Sequence, residues 1–174
     1  MIDRITNDIE RAIDAKAYIA ALTLALTLPD ICGKAQYPDA KPTERYKKWY
    51  AEHIGRYENP NDEKDDTKSP YLSADVVYSL RCSMLHQGTT ELVNSRIRQP
   101  ENKNIDVFHL IVDEAMIGGC SAIEQTYING RYVKTSVEWE INVVNLCWKL
   151  CVVASSYYKE NKDKFDFFSY NLKF

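Results

Sequence analysis

The segment from about Val137 to Asn161, which contains "INVVNLCWKLCVVASSYY", limits what this chain can fold into more than any other. Read as one helix at ~100° per residue, it places Ile141, Val144, Trp148, Cys151 and Tyr158 on one side. Val143, Leu146, Leu150, Val153 and Tyr157 fall on the opposite side. A helix that is apolar on two sides belongs at the centre of its own bundle or is shared with a second chain. The few other helices in the sequence favour sharing, so a homodimer is expected.

Helical spacing recurs at the start of the chain. Ile2, Ile5, Ile9, Ile13, Ala17 and Ala20, followed by "YIAALTLALTL", predict a helix to about Leu28, with Pro29 and Gly33 punctuating its end. A second helix is expected from Thr43 to Ile54, its "RYKKWYAEH" basic and aromatic on the exposed side. Residues Glu58 to Pro70, "ENPNDEKDDTKSP", contain no apolar side chain and read as an acidic, polar loop of about 58–70. A third helix begins after Ser73, a natural N-cap, and stops at Gly88. Ile105 to Asp113 reads as a strand, and Asn129-Gly130 lies between two β-rich runs as a type I′ hairpin turn. The fold expected is therefore mainly α: one domain over residues 1–174, a helical bundle with an inserted antiparallel β-hairpin at about 105–137.

Charge and cysteine content exclude several classes. A net charge of −3 gives no overall basic surface for long duplex nucleic acid. The N-terminus, "MIDRITNDIE", is charged throughout and unlike a signal peptide. No uninterrupted apolar run reaches the length of a membrane span. Five cysteines without an export signal read as reduced thiols, so the cytoplasm is the expected location, with no membrane partner.

The third helix carries the chemistry. In "SLRCSMLHQG", Val76, Val77, Leu80 and Met84 form the apolar stripe, and Arg81 and His86 border the other arc, roughly 140° apart at ideal helical geometry. Tyr78, Cys82 and Leu85 lie between them, with Asp75 just beyond and Gln87 following. Histidine titrates near neutrality and suits proton transfer. Arginine keeps its charge and grips two phosphate oxygens. Together they suit metal-independent cleavage of RNA, with no cofactor, if two-fold symmetry brings a second pair to the same cleft.

The string Arg81-Cys82-Ser83-Met84-Leu85-His86 resembles the Arg-x4–6-His motif of the HEPN superfamily of small α-helical proteins. The resemblance implies a helical bundle, commonly dimeric, with paired motifs at the dimer interface. It implies endoribonuclease activity of a defence or toxin type, or a non-catalytic binding module, with a cognate antitoxin or other protein as partner. By position Arg81 would hold phosphate and His86 would be the general acid/base, while Tyr78, Cys82, Asp75 and Gln87 would line the substrate or partner face. Cys82 stands where active members often carry a polar residue.

Other constellations compete. Cys82 with His86, and Cys147 with Cys151, are each four apart as zinc ligands on a helix would be, but the short C-x2-C spacing is missing and no metal is expected. Cys120 and His109 form a conceivable nucleophile pair. His53 reads as a surface residue. "RYKKWYAEH" and "NSRIRQ" (Asn94 to Gln99) offer a basic, aromatic rim for RNA or, more simply, solvated helix faces.

Overall fold

Among the described residues of the structure, a computed structural model, seven α-helices and three strands alternate with short π and 3-10 turns. The structure describes residues 1–58, 72–90, 107–112, 120–128 and 131–168, and of 120–128 and 131–138 the backbone alone. The acidic loop, the Asn129-Gly130 turn and the basic "NSRIRQ" segment lie outside the described residues, except that Glu58 ends a helix.

The N-terminal run is three helices, not one: α1 (Ile2–Asp14), α2 (Tyr18–Ala25) and α3 (Leu28–Gln36). The first break falls at Lys16, whose φ of 57° is left-handed. Lys16 N–H donates to Ile13 O, and Ala17 N–H to Ala12 O. These are the two bonds of a Schellman C-cap. Helical periodicity continues through the break, which is why the sequence conceals it. Pro29 does not end a helix either; it occupies the first turn of α3, where no N–H is needed. Gly33 sits inside α3 rather than after it. A Cβ there would lie 2.6 Å from the Arg45 carbonyl oxygen, so the glycine is what lets α3 and α4 approach.

Helix α4 (Pro42–Tyr50) runs into a π turn (Ala51–Gly55) and the short α5 (Arg56–Glu58). Its aromatics are buried, not exposed: Trp49, Tyr46 and Tyr50 are the largest fully buried side chains among the described residues. Helix α6 (Ala74–Cys82) begins as expected, with Ser73 Oγ accepting from Val76 N at 3.3 Å. It continues as a π turn (Ser83–Gln87) to Gly88, whose φ is 65°.

The β unit is a mixed sheet rather than an antiparallel insertion alone. Its order is β1 (Val107–Ile111), β3 (Arg131–Asn142), β2 (Cys120–Ile128). Strand β1 pairs with β3 in parallel, setting Phe108 opposite Trp139 and Leu110 opposite Ile141. Strand β2 pairs with β3 antiparallel, with an irregularity at Thr126/Tyr127. Phe108, Trp139 and Ile141 are buried, so the parallel register brings one apolar face of the sheet onto the bundle. The last helix, α7, consequently starts at Val143, not near 137. "VEWEIN" alternates with period two, and Asn142 Oδ1 accepts from Asn145 N at 3.1 Å to cap the helix.

Helix α7 (Val143–Glu160) packs against α1, α2 and α3, while α4 joins α3 to α6. Leu146, Cys147, Leu150, Cys151, Ala154 and Tyr157 are buried, yet Trp148 is 45% and Val152 62% exposed. Helix α7 is therefore the centre of its own bundle and also keeps an apolar strip at its surface. Tyr18–Gln36 is long and apolar enough to cross a membrane by length and composition, and half of that stretch is buried inside the bundle.

Two substitutions check this account by urea unfolding. Lys16→Gly removes the left-handed strain and should raise stability by about 0.5–1 kcal/mol. Gly33→Ala should lower it by about 1–3 kcal/mol, because the methyl meets backbone that cannot rotate away.

Candidate functional site around Arg81

The mixed face of α6 faces into its own chain. Tyr78 Oη lies 2.7 Å from Thr43 Oγ1, and its ring meets Tyr46 edge-on with centroids 5.1 Å apart. Lys47 Nζ bonds Asp75 Oδ1 at 2.5 Å and sits over the Tyr78 ring. The face expected to meet a partner or ligand is thus covered by α4 at Tyr78 and Arg81, while Asp75, His86 and Gln87 stay exposed. The physical reason is the aromatic row of α4, whose Tyr46 is covered by Tyr78 and Arg81 of α6.

Arg81 closes that interface. Its guanidinium carbon lies 5.7 Å from the Tyr46 ring centroid and 5.8 Å from that of Tyr78, between two rings that attract a cation. Nη2 approaches Asp30 Oδ2 at 3.7 Å, and the side chain is 17% exposed. Asp30 is held more tightly by Arg45, whose Nε donates to Oδ1 at 2.8 Å. Arg81 Nε and the Tyr46 hydroxyl are both buried without a hydrogen-bond partner among the described residues. Burial raises the Tyr46 pKa well above its ordinary value, with the Tyr50 hydroxyl adding to the rise and the Arg81 charge opposing it.

His86 is placed differently. It lies exposed in the π turn, as does Gln87, and its side chain makes no hydrogen bond or ion pair with another described residue. One chain therefore does not assemble Arg81 and His86 into a shared cleft. Cys82 is half-buried beside Tyr46. Cys147 and Cys151 sit in the core, each thiol pushed up to about 12 by burial. Among the described residues no group of three metal-ligating side chains converges. His109 is exposed on the sheet, and the side chain of Cys120 lies outside the described residues.

The expected basic rim on α4 is mostly spoken for. Arg45 holds Asp30, Lys47 holds Asp75, and Lys48 Nζ sits 4.2 Å from the Tyr37 ring centroid. His53 is half-buried, not a free surface residue. It stacks on Trp49 with centroids 4.9 Å apart, meets the Tyr157 ring edge-on, and its Nε2 lies 2.8 Å from Gln36 Oε1. An amide oxygen only accepts, so Nε2 carries the hydrogen. Gln36 Nε2 donates to Glu52 and to Tyr37, and the Tyr37 hydroxyl donates to Glu52. Burial, followed by the bond to Glu52, raises the Tyr37 pKa. Tyr157, pushed up to about 12 by burial, carries the contact on to Phe165, which buries the start of the aromatic tail.

Sequence reading missed Asp30, Arg45 and Tyr46 as neighbours of Arg81. Their signal was Gly33 within a helical run: an interior glycine marks a close crossing, and Asp30 one turn earlier lies on the same face. Comparison with protein-family models, with curated proteins and with solved structures finds no match.

The His53 environment has a stability consequence of definite sign. Burial, its largest influence, lowers the His53 pKa below its ordinary value of 6.5. The unfolded chain therefore binds this proton more readily than the folded one. Stability is complete above the unfolded pKa and falls as pH drops through it toward the folded value. Urea midpoints taken at pH 7.5 and 5.5 should fall further for the wild type than for His53→Gln; equal falls would contradict this assignment.

Proposed function

We propose that this chain is a HEPN-like RNA-binding protein in which Arg81 holds a backbone phosphate, with metal-independent cleavage arising only where a second copy brings His86 to that phosphate. The observation that carries the reading is the incomplete partnering of Arg81. A guanidinium has five N–H donors. Here its only charged partner among the described residues is Asp30 at 3.7 Å, and Asp30 is already engaged by Arg45. A phosphate would supply the missing acceptors. His86, exposed at the end of the same helix, is free to serve a neighbouring chain. Trp148 and Val152, one helical turn apart and exposed on α7, supply an apolar strip for dimerisation.

The same strip favours a second reading, a non-catalytic interaction module that binds a protein partner and uses Arg81 only to fix α6 on α4. Cleavage of a mixed RNA pool in EDTA separates the two. The first reading predicts products ending in 2′,3′-cyclic phosphate, with Arg81→Ala and His86→Ala each slowing cleavage about 100-fold or more. Binding without cleavage would leave an RNA-binding module. A folded wild type that neither binds nor cleaves would contradict the reading. Light scattering of Val152→Glu should show a monomer where the wild type is a dimer.

A further inference from the structure

Asp30 places one negative charge between two guanidiniums, and the two ion pairs are unequal. Arg45 Nε lies 2.8 Å from Oδ1, a hydrogen-bonded pair, whereas Arg81 Nη2 lies 3.7 Å from Oδ2, beyond hydrogen-bond reach. The three side chains are mostly enclosed, with 15% of Arg45, 24% of Asp30 and 17% of Arg81 exposed. The cluster is left with one surplus positive charge. Two donors beside it, Arg81 Nε and the hydroxyl of the fully buried Tyr46, lack an acceptor among the described residues. A buried charge is tolerated when it is paired and hydrogen-bonded, and this one is only partly so.

We propose that Asp30 is a displaceable internal counter-ion: its carboxylate stands where an anion would bridge Arg45 and Arg81, and a phosphate group entering the cluster replaces it. The inference deepens the RNA-binding reading and depends on it only for the carrier of the phosphate. It assigns Arg45 as a second phosphate-holding residue and Asp30 as the residue that sets how readily phosphate enters. Phosphate suits the site because its tetrahedral oxygens can accept from two guanidinium forks on different helices at once. Of the three charged groups Asp30 is the most exposed, which gives its carboxylate a route outward. The chemistry is common to inorganic phosphate and to an RNA phosphodiester, so the test uses both.

Calorimetry of the full chain with inorganic phosphate is run beside fluorescence anisotropy with a labelled single-stranded RNA. Asp30→Asn should bind inorganic phosphate about tenfold more tightly than the wild type. Arg45→Gln, which leaves Asp30 to Arg81 alone, should bind it more weakly, and Arg81→Lys, which loses the fork, should also weaken it. Asp30→Asn is compared only where it unfolds cooperatively, so Asp30→Ser and the opposite-signed Arg45→Gln provide independent arms. Affinity unchanged or reduced in a folded Asp30 variant would overturn the proposal, as would phosphate binding indifferent to Arg81 or absent in every protein. This ordering with inorganic phosphate but no RNA binding would keep the counter-ion and remove RNA as the carrier. RNA binding indifferent to Asp30 and Arg45 would keep the RNA reading and overturn the counter-ion.

Discussion

The contact on which the rest of the structure depends is the approach of α3 to α4 at Gly33. Without a side chain at that position the Arg45 backbone comes within reach of α3, close enough that a single methyl would collide with its carbonyl. The crossing fixes the distance between two faces. It brings Asp30, one turn before Gly33, to the Arg45 guanidinium, and it turns the aromatic row Tyr46, Trp49 and Tyr50 inward. Each of those rings carries a polar atom that is buried without a partner among the described residues. The row is therefore apolar in bulk but has polar atoms that restrict what can pack against it.

Helix α6 meets that requirement at one end and α7 at the other. Tyr78 and Arg81 cover Tyr46, while Tyr157 and His53 cover Trp49. Arg81 is thus a structural residue and a chemically incomplete one at the same time. It seals α6 on α4 through two rings, and its charge is only loosely answered by Asp30. That combination gives a cation of fixed position with spare donors, which is what binding an anion requires. The two π turns among the described residues fall where α4 and α6 end, and each contains a histidine, His53 half-buried among rings and His86 in solvent. A π turn changes which way the following side chains face, so the Arg81–His86 angle expected of an ideal helix does not carry over.

Where burial repeats with the period of the element, the structure was legible in the sequence. Ile2, Ile5 and Ile9 announce α1, Ser73 and Gly88 bracket α6 and its turn, and Val76, Val77 and Leu80 are its core stripe. Local backbone exceptions were not legible. Lys16 adopts a conformation normally left to glycine, and the isoleucine and alanine spacing runs straight through it. At Val137 to Asn142 a period of two adjoins a helical period, and short apolar runs do not announce where one gives way to the other. The parallel pairing of β1 with β3 is non-local and leaves no mark in either strand alone. At the site, Arg81 and His86 stood out by residue type and spacing, but Asp30 and Arg45 were not readable as the surroundings of Arg81, because they come from two other helices.

The most direct measurement is the arginine side-chain NMR spectrum, following the Arg81 Nε–H signal while inorganic phosphate is added. A buried, unpartnered Nε–H predicts a signal protected from rapid exchange with water that moves progressively as phosphate binds, and that vanishes from the spectrum of Arg81→Lys. A signal that exchanges rapidly from the start, or one that stays fixed while phosphate is added in excess, would contradict the picture of Arg81 as an enclosed cation awaiting an anion.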